Sequence, residues 1–276
     1  MSDSDPPAEV SSDEEPALQQ PEGDEDSDNE NAPAPQPAQN LPMMGAQAAH
    51  NLPAMGPQAL LQFFAQFQHS RQRAASSHDE LVDRLCQAGA LTKEDIKAAF
   101  ASVDRKEYCL GAEDDEQCYS DRPFRAEPTK GCIVHLSAPS IYTRALEALE
   151  LHPGVSFLNV GSGTGCVSTV VNQLIGRHAV HHGIEIRAPL VELATRLAQQ
   201  RGGMEGVHFH CGSIHDIDAS ASIRFDRIYV GAGVRLGDKA QILGLLKVGG
   251  IAVGPFEDED DGEQRLIKVR AALPSP

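Results

Sequence analysis

Lysine and arginine are missing from the first 70 residues, where 12 Asp/Glu stand unopposed before Arg71. The remainder of the 276-residue chain carries 28 acids against 23 bases, so −12 of the formal charge of −17 lies in the first segment and −5 in the rest. A net polyanion with no basic stripe is a poor partner for nucleic acid or an anionic membrane. No stretch approaches the roughly 18 apolar residues of a transmembrane helix. Met1-Ser2-Asp3-Ser4-Asp5 lacks the basic start and apolar core of a signal peptide. Cys-x-x-Cys spacing is absent too. Cys86, Cys109, Cys118, Cys132, Cys166 and Cys211 therefore read as reduced thiols of a cytoplasmic protein, not as a disulfide or zinc framework.

Residues 1–39 are mostly Asp, Glu, Pro, Ser, Gln and Ala, with Val10 and Leu18 almost the only large apolar side chains. Such a segment cannot bury enough surface to offset backbone ordering, about 1–2 kcal/mol per residue, and is expected to be disordered. Ser11, Ser12 and Ser27 precede acidic runs that suit an acid-directed kinase or simply a solvating tail. An imperfect 11-residue repeat starts at Asn40 and Asn51 and is too short and too broken by Pro and Gly for a solenoid. Within 59–68, Leu60, Phe63, Phe64 and Phe67 fall at i, i+3, i+4 and i+7. That run reads either as a docking helix for a partner or as a flap on the folded domain.

The division expected is a tail over 1–76 and a folded domain over 77–276, about 200 residues and enough for one α/β domain. A helix is predicted over Asp79–Ala88 with Gly89 as its stop. Thr92 and Asp95 resemble a capping box opening a second helix through Phe100. From residue 153 strands and helices alternate. Strands are predicted over 155–160, 179–186, 207–211, 225–230 and 250–253, with helical runs after Gly165 and over 190–197, implying a parallel sheet with helices on both faces. Ligands on such sheets bind at the carboxyl ends of the strands.

The glycine loop narrows the ligand. A nicotinamide-binding G-x-G-x-x-G would need Gly where Cys166 stands; the chain has Gly161-Ser162-Gly163-Thr164-Gly165, with Glu185 ending the next strand 20 residues later. The loop lets backbone approach a ligand, and the following helix offers unpaired N–H groups to an anion. In S-adenosylmethionine that anion is the amino-acid carboxylate, and Glu185 can accept both ribose hydroxyls. A purely structural tight turn would look the same in isolation.

Ser137-Ala138-Pro139, Phe157 to Gly165, His182-Gly183-Ile184-Glu185, Asp226 to Ala232 and Leu245 to Gly250 occur in one order. Together they resemble the protein-L-isoaspartate O-methyltransferase family, from about Ser77 to Val269. The variants Ile133 to Pro139 and Phe157-Leu158-Asn159 are most similar to its divergent isoaspartate methyltransferase domain-containing subgroup. The resemblance implies a Rossmann-like S-adenosylmethionine-dependent methyltransferase sheet. It also implies methyl transfer to the free carboxylate of isoaspartyl residues in aged proteins. By resemblance Ser137 is the active-site serine. Leu136, Tyr142, Asn159, Gly161, Ser162, Gly163, Gly165, Glu185, Ile186, Gly212 and Ser213 bind the cofactor, and no metal is implied. Read from the sequence alone, Ser137 could instead cap the helix carrying Ile141, Ala145 and Leu146. The subgroup implies an alternative role as a weak or inactive cofactor-binding module in substrate recognition or ubiquitin-ligase adaptor work.

Four departures from the family pattern stand out. Asn159 replaces an acid, Ser213 replaces an Asp, and His135 replaces a Thr. One C-terminal strand is missing after 266–269, which leaves an exposed edge or a domain closed differently. His135, His181 and His182 read as pocket-lining or surface residues, and Glu257–Glu263 as a solvated turn.

Overall fold

A computed structural model describes residues 74–217, 223–232, 238–257 and 264–271. Residues 1–73, the segment Leu60–Phe67 among them, and 258–263 of the acidic turn lie outside the described residues.

The first helix, α1 (His78–Gln87), starts where the Ser77 hydroxyl accepts the Glu80 N–H at 3.2 Å, and it buries Leu81, Val82 and Leu85. It stops at Gly89, whose φ of +67° favours glycine. The second helix, α2 (Glu94–Ala101), is not opened by a Thr92–Asp95 capping box. Its N-cap is Lys93, and Asp95 Oδ1 accepts only the N–H of Ile96. Glu147, from α4 (Pro139–Ala148), takes the Thr92 N–H and hydroxyl and accepts the Lys93 N–H at 2.9 Å. A carboxylate distant in sequence thus satisfies the donors that a local cap would have served.

A 3-10 turn (Arg105–Tyr108), α3 (Asp115–Tyr119) and an antiparallel hairpin of β1 (Phe124–Thr129) and β2 (Cys132–Leu136) lead into α4. The remaining elements are β3 (Phe157–Val160), α5 (Cys166–Ile175), β4 (His181–Glu185), α6 (Ala188–Arg201), β5 (Val207–Cys211), β6 (Phe225–Val230), α7 (Lys239–Gly244), β7 (Leu246–Glu257) and β8 (Gln264–Arg270). They form one sheet in the order β5-β4-β3-β6-β7-β8, parallel except for β8, which lies antiparallel to β7 at the edge. Alternate strand residues feed opposite faces, as the period of two requires. Phe157, Tyr229, Ile251 and Val253 pack with residues of α1, α2, α4 and α5. Leu158, Val160, Ile228, Val230 and Ala252 pack with Ile242 of α7.

β7 is much longer than 250–253 because β8 pairs along it from Ile251 to Glu257. Gly249 and Gly250 sit within that strand: its register against β6 jumps from Phe225↔Leu246 to Arg227↔Ile251. Asp226 of β6 ties β7 to the residue that precedes β3 by accepting the Ser156 N–H at 2.8 Å, the Ser156 hydroxyl at 2.6 Å and the Lys247 ammonium at 2.7 Å. Chain order reverses direction across the sheet between β3 and β6, and the crevice at their carboxyl ends is where such folds bind ligands.

Candidate functional site

β3 runs into the glycine loop, and α5 begins at Cys166. The Ile184 carbonyl of β4 accepts the N–H groups of both Gly161 and Ser162, at 2.9 and 3.0 Å, strapping the loop to the sheet. Gly161 has a φ of +73°, and a Cβ there would stand 3.0 Å from the Ala232 Cβ. A side chain at this position would push apart the two loops that follow β3 and β6. Gly165, the N-cap of α5, supplies no side-chain cap, so the first N–H groups of that helix are left for a ligand.

A cavity of about 320 Å³ opens over this loop. Cys166 and Val167 line it at the helix start, and Glu185, Ile186, Gly212 and Ser213 line it at the ends of β4 and β5. Glu185 is 6% exposed. Its Oε2 accepts the Gly163 N–H at 3.1 Å, and its Oε1 accepts the Arg187 N–H at 3.2 Å. Each oxygen retains capacity for one more donor. Ser213 Oγ accepts the His215 N–H at 3.3 Å, and its own N–H donates to Asp216 at 2.7 Å, closing a capping box over the short 3-10 turn Ile214–Asp216.

Among the described residues, two buried polar atoms in the lining lack partners. Asn159, 1% exposed, donates from Nδ2 to Ser168 Oγ at 3.0 Å, but its Oδ1 accepts nothing. Ser162 Oγ is equally without a partner. Such groups cost about 1–3 kcal/mol each when left unsatisfied, so both are sites that a polar ligand would complete.

At the far end His135, Leu136 and Ser137 leave β2, and Tyr142 and Tyr229 close the wall. The Ser137 N–H donates to the Tyr142 hydroxyl at 2.9 Å. The two tyrosine rings meet edge to face, centroids 6.3 Å apart. Burial pushes Tyr142 up to about 12 and raises Tyr229 as well, so both are neutral phenols near pH 7. Burial, and then the charges of Arg125, Arg105 and Arg187, push the His135 imidazole below its ordinary range. Ser137 does not cap the following helix. Ala138 is the N-cap of α4, Pro139 takes its first position, and Asp121 accepts the Ser140 N–H at 2.8 Å.

The cavity therefore brings together Ser137, Leu136, Tyr142, Asn159, Gly161, Ser162, Gly163, Glu185, Ile186, Gly212 and Ser213. Gly165 does not line it. With a φ of +84°, it turns its Cα toward Phe209, whose Cζ would lie 3.0 Å from an added Cβ, so its glycine serves the packing of α5. Sequence reasoning missed Thr164, Cys166, Arg187, Ile214 and Tyr229, all in the lining. Tyr229 was visible only as a strand residue. Of the three histidines, only His135 lines the cavity. His181 is a core residue, 1% exposed and edge-on to Phe157 at 4.9 Å. His182 pairs with His210 across β4 and β5 at 2.8 Å.

Residues 76–273 match the family described as protein-L-isoaspartate(D-aspartate) O-methyltransferase. A protein-L-isoaspartate O-methyltransferase of Pyrobaculum arsenaticum is 32% identical over 182 residues, covering 65% of this chain and 84% of that protein. One of Ignicoccus hospitalis is 31% identical over 194 residues, covering 69% and 86%. A solved protein-L-isoaspartate O-methyltransferase superposes with a TM-score of 0.62 at 23% identity, over 71% of this chain and 61% of that one. A Plasmodium falciparum structure assigned to the same activity, in complex with S-adenosyl-L-homocysteine, gives 0.59 at 21% identity, over 72% and 95%. At these identities the structural likeness establishes the fold alone. Among the described residues no helix is long and apolar enough to cross a membrane.

Proposed function

This chain belongs to the protein-L-isoaspartate(D-aspartate) O-methyltransferase family, and from that membership we propose that it transfers a methyl group from S-adenosyl-L-methionine to the free carboxylate of isoaspartyl residues in damaged proteins. The observation that carries the reading is a single cavity joining the Ser137–Tyr142 end to the glycine loop and Glu185.

The lining fits the cofactor. Asn159 Oδ1 and Ser162 Oγ are acceptors awaiting partners, suited to an ammonium group. The uncapped start of α5 suits a carboxylate, and Glu185 suits a ribose diol. Gly161, Gly163 and Gly212 admit the ligand to backbone, with Leu136, Ile186 and Ser213 around its base and ribose. When bound, S-adenosyl-L-methionine supplies a methyl group on a positively charged sulfur.

The acceptor carboxylate, with an ordinary pKa near about 4, is ionised at pH 7, so no residue need act as a base. That suits an end walled by neutral phenols. The Ser137 hydroxyl donates to one acceptor oxygen and fixes which lone pair faces the methyl. Tyr142 in turn fixes the Ser137 backbone. Leu136 and Tyr229 keep water from the nucleophile. Alignment of this kind can supply up to about 7–11 kcal/mol of the barrier.

The folded unit we assign to catalysis is 77–276. Six free cysteines suit a reducing compartment, and we place the reaction in the cytoplasm. Leu60–Phe67 is proposed as a docking element. A pull-down with and without residues 1–76 tests this, and an unchanged partner set would remove it.

The deciding experiment is transfer of labelled methyl to an isoaspartyl peptide, beside the normal aspartyl peptide and a Ser137→Ala control. Label on the isoaspartyl peptide alone, reduced at least tenfold in the variant, is expected. Equal labelling of both peptides, or none with cofactor bound, refutes the reading.

A further inference from the structure

Behind the acceptor end of the cavity lies a buried cation. Arg105 is 1% exposed. Among the described residues its Nε and Nη1 have no hydrogen-bond partner, and its Nη2 reaches only the Arg122 carbonyl, at 3.4 Å. Its Cζ lies 5.9 Å from the centroid of the Tyr142 ring, and Tyr142 is the residue that holds the Ser137 N–H. A charge removed from water and left unpaired is costly. Lysine could escape the cost by losing its proton, whereas a guanidinium stays charged. An anion entering beside it would offset that cost.

We infer that Arg105 is a positioning residue for the acceptor: acting through Tyr142 and its own field, it makes the Ser137 end of the cavity favour a carboxylate over the uncharged ester formed from it. The inference rests on the methyltransferase reading and extends it to how substrate and product are told apart. Arg105 does not line the cavity, so it holds no substrate atom directly. Its charge nevertheless reaches the lining, since it is among the groups that depress His135. The acceptor's negative charge is full before transfer and fades as the methyl arrives. A positive field therefore strengthens substrate binding more than it stabilises the transition state. Loss of the field should raise KM and leave kcat unchanged or slightly higher. After transfer the neutral ester is no longer attracted and leaves.

The test uses the full chain. Arg105→Met removes both the charge and the hydrogen bond to Arg122. Arg105→Gln removes the charge and keeps an amide donor. Both are expected to raise KM for an isoaspartyl peptide by roughly five- to tenfold, with kcat within about twofold and calorimetric affinity for S-adenosylhomocysteine unchanged. The His135 titration followed by NMR, assigned with His135→Gln, should move upward in both. Unaltered protein gives a reading that needs no variant, binding the carboxylate peptide several-fold more tightly than its methyl ester. An unchanged KM, rescue by Gln but not Met, an unmoved His135, or equal affinity for acid and ester would each overturn the inference. Absence of methylation by the unaltered protein would instead refute the enzyme reading, and the His135 shift would still decide whether the charge reaches this end.

Discussion

Glu185→Gln is the perturbation that discriminates most sharply, because the carboxylate is committed on both sides. Within the protein its oxygens hold the N–H groups of Gly163 and Arg187 at 3.1 and 3.2 Å. Toward the ligand, each would accept one ribose hydroxyl. Glutamine keeps one acceptor and turns an amino group toward a donor. A hydrogen bond to a charged acceptor contributes about 1.5–3 kcal/mol. Losing one ribose contact and weakening the other therefore costs the ligand about 3 kcal/mol, or roughly 100-fold in Kd. The protein itself loses one backbone anchor, about 1–2 kcal/mol. For a domain of this size that lowers Tm by roughly 3–6 °C. Calorimetry with S-adenosylhomocysteine and a thermal scan measure both. A Kd within threefold of the unaltered protein would show that the ribose site lies elsewhere. A Tm loss of tens of degrees would assign Glu185 to the fold rather than to the ligand.

Asn159→Asp places an anion where the unpartnered Asn159 Oδ1 stands and should tighten S-adenosylhomocysteine binding about five- to tenfold while lowering the Tm of the ligand-free protein; calorimetry beside a melting curve reads both. Gly165→Ala forces an L side chain to a φ of +84° against Phe209 and should destabilise by about 1–3 kcal/mol in denaturant titration, with cofactor Kd changed less than about threefold. Burial, and then the charges of His182 and His208, push His181 down to about 3, from an ordinary value of 6.5. The unfolded chain therefore binds a proton that the folded protein refuses, and stability present above pH 6.5 is lost as pH falls from there toward 3. His181→Leu, which also removes two unpartnered ring nitrogens, should be more stable at pH 7 by about 1 kcal/mol. Its advantage should widen on acidification, and parallel pH–stability curves would refute the assignment.

The parallel core was legible because its signal is local. β3 is a short apolar run, β5 and β6 set apolar residues between polar ones, helical periodicity separates the strands, and the glycine loop and Glu185 occupy positions that chain order alone assigns to one edge. What escaped depends on contacts distant in sequence. Nothing near Thr92 reveals that Glu147 serves its N–H, and the local Thr–Asp spacing pointed to a cap that does not form. β1 alternates Phe124, Ala126 and Pro128 with Arg125, Glu127 and Thr129, but the run is short and holds a proline, so its strand signal is weak. Asp104-Arg105-Lys106-Glu107 holds no apolar residue that would mark burial, yet the turn buries Arg105 with its Cζ 5.9 Å from the Tyr142 ring centroid. His181 and His182 are chemically alike neighbours, and the pleat sends one inward against Phe157 and the other toward β5.

The departures from the family pattern fall unevenly on the site. Asn159 is neutral, and Ser213 spends its hydroxyl on the cap of its own turn, so Glu185 is the only carboxylate lining the cavity among the described residues. Cofactor affinity should then depend on Glu185 more steeply than in a site with three acids. Replacing a charged acceptor by a neutral one forfeits about 1 kcal/mol, or roughly fivefold in affinity. The expected outcome is weaker cofactor binding with the reaction retained, which calorimetry beside the methylation assay would read. Transfer to a carboxylate already ionised asks for alignment and exclusion of water, and no departure touches Ser137, Tyr142 or their hydrogen bond. Only His135 stands at the acceptor end, exposed at the mouth and held neutral.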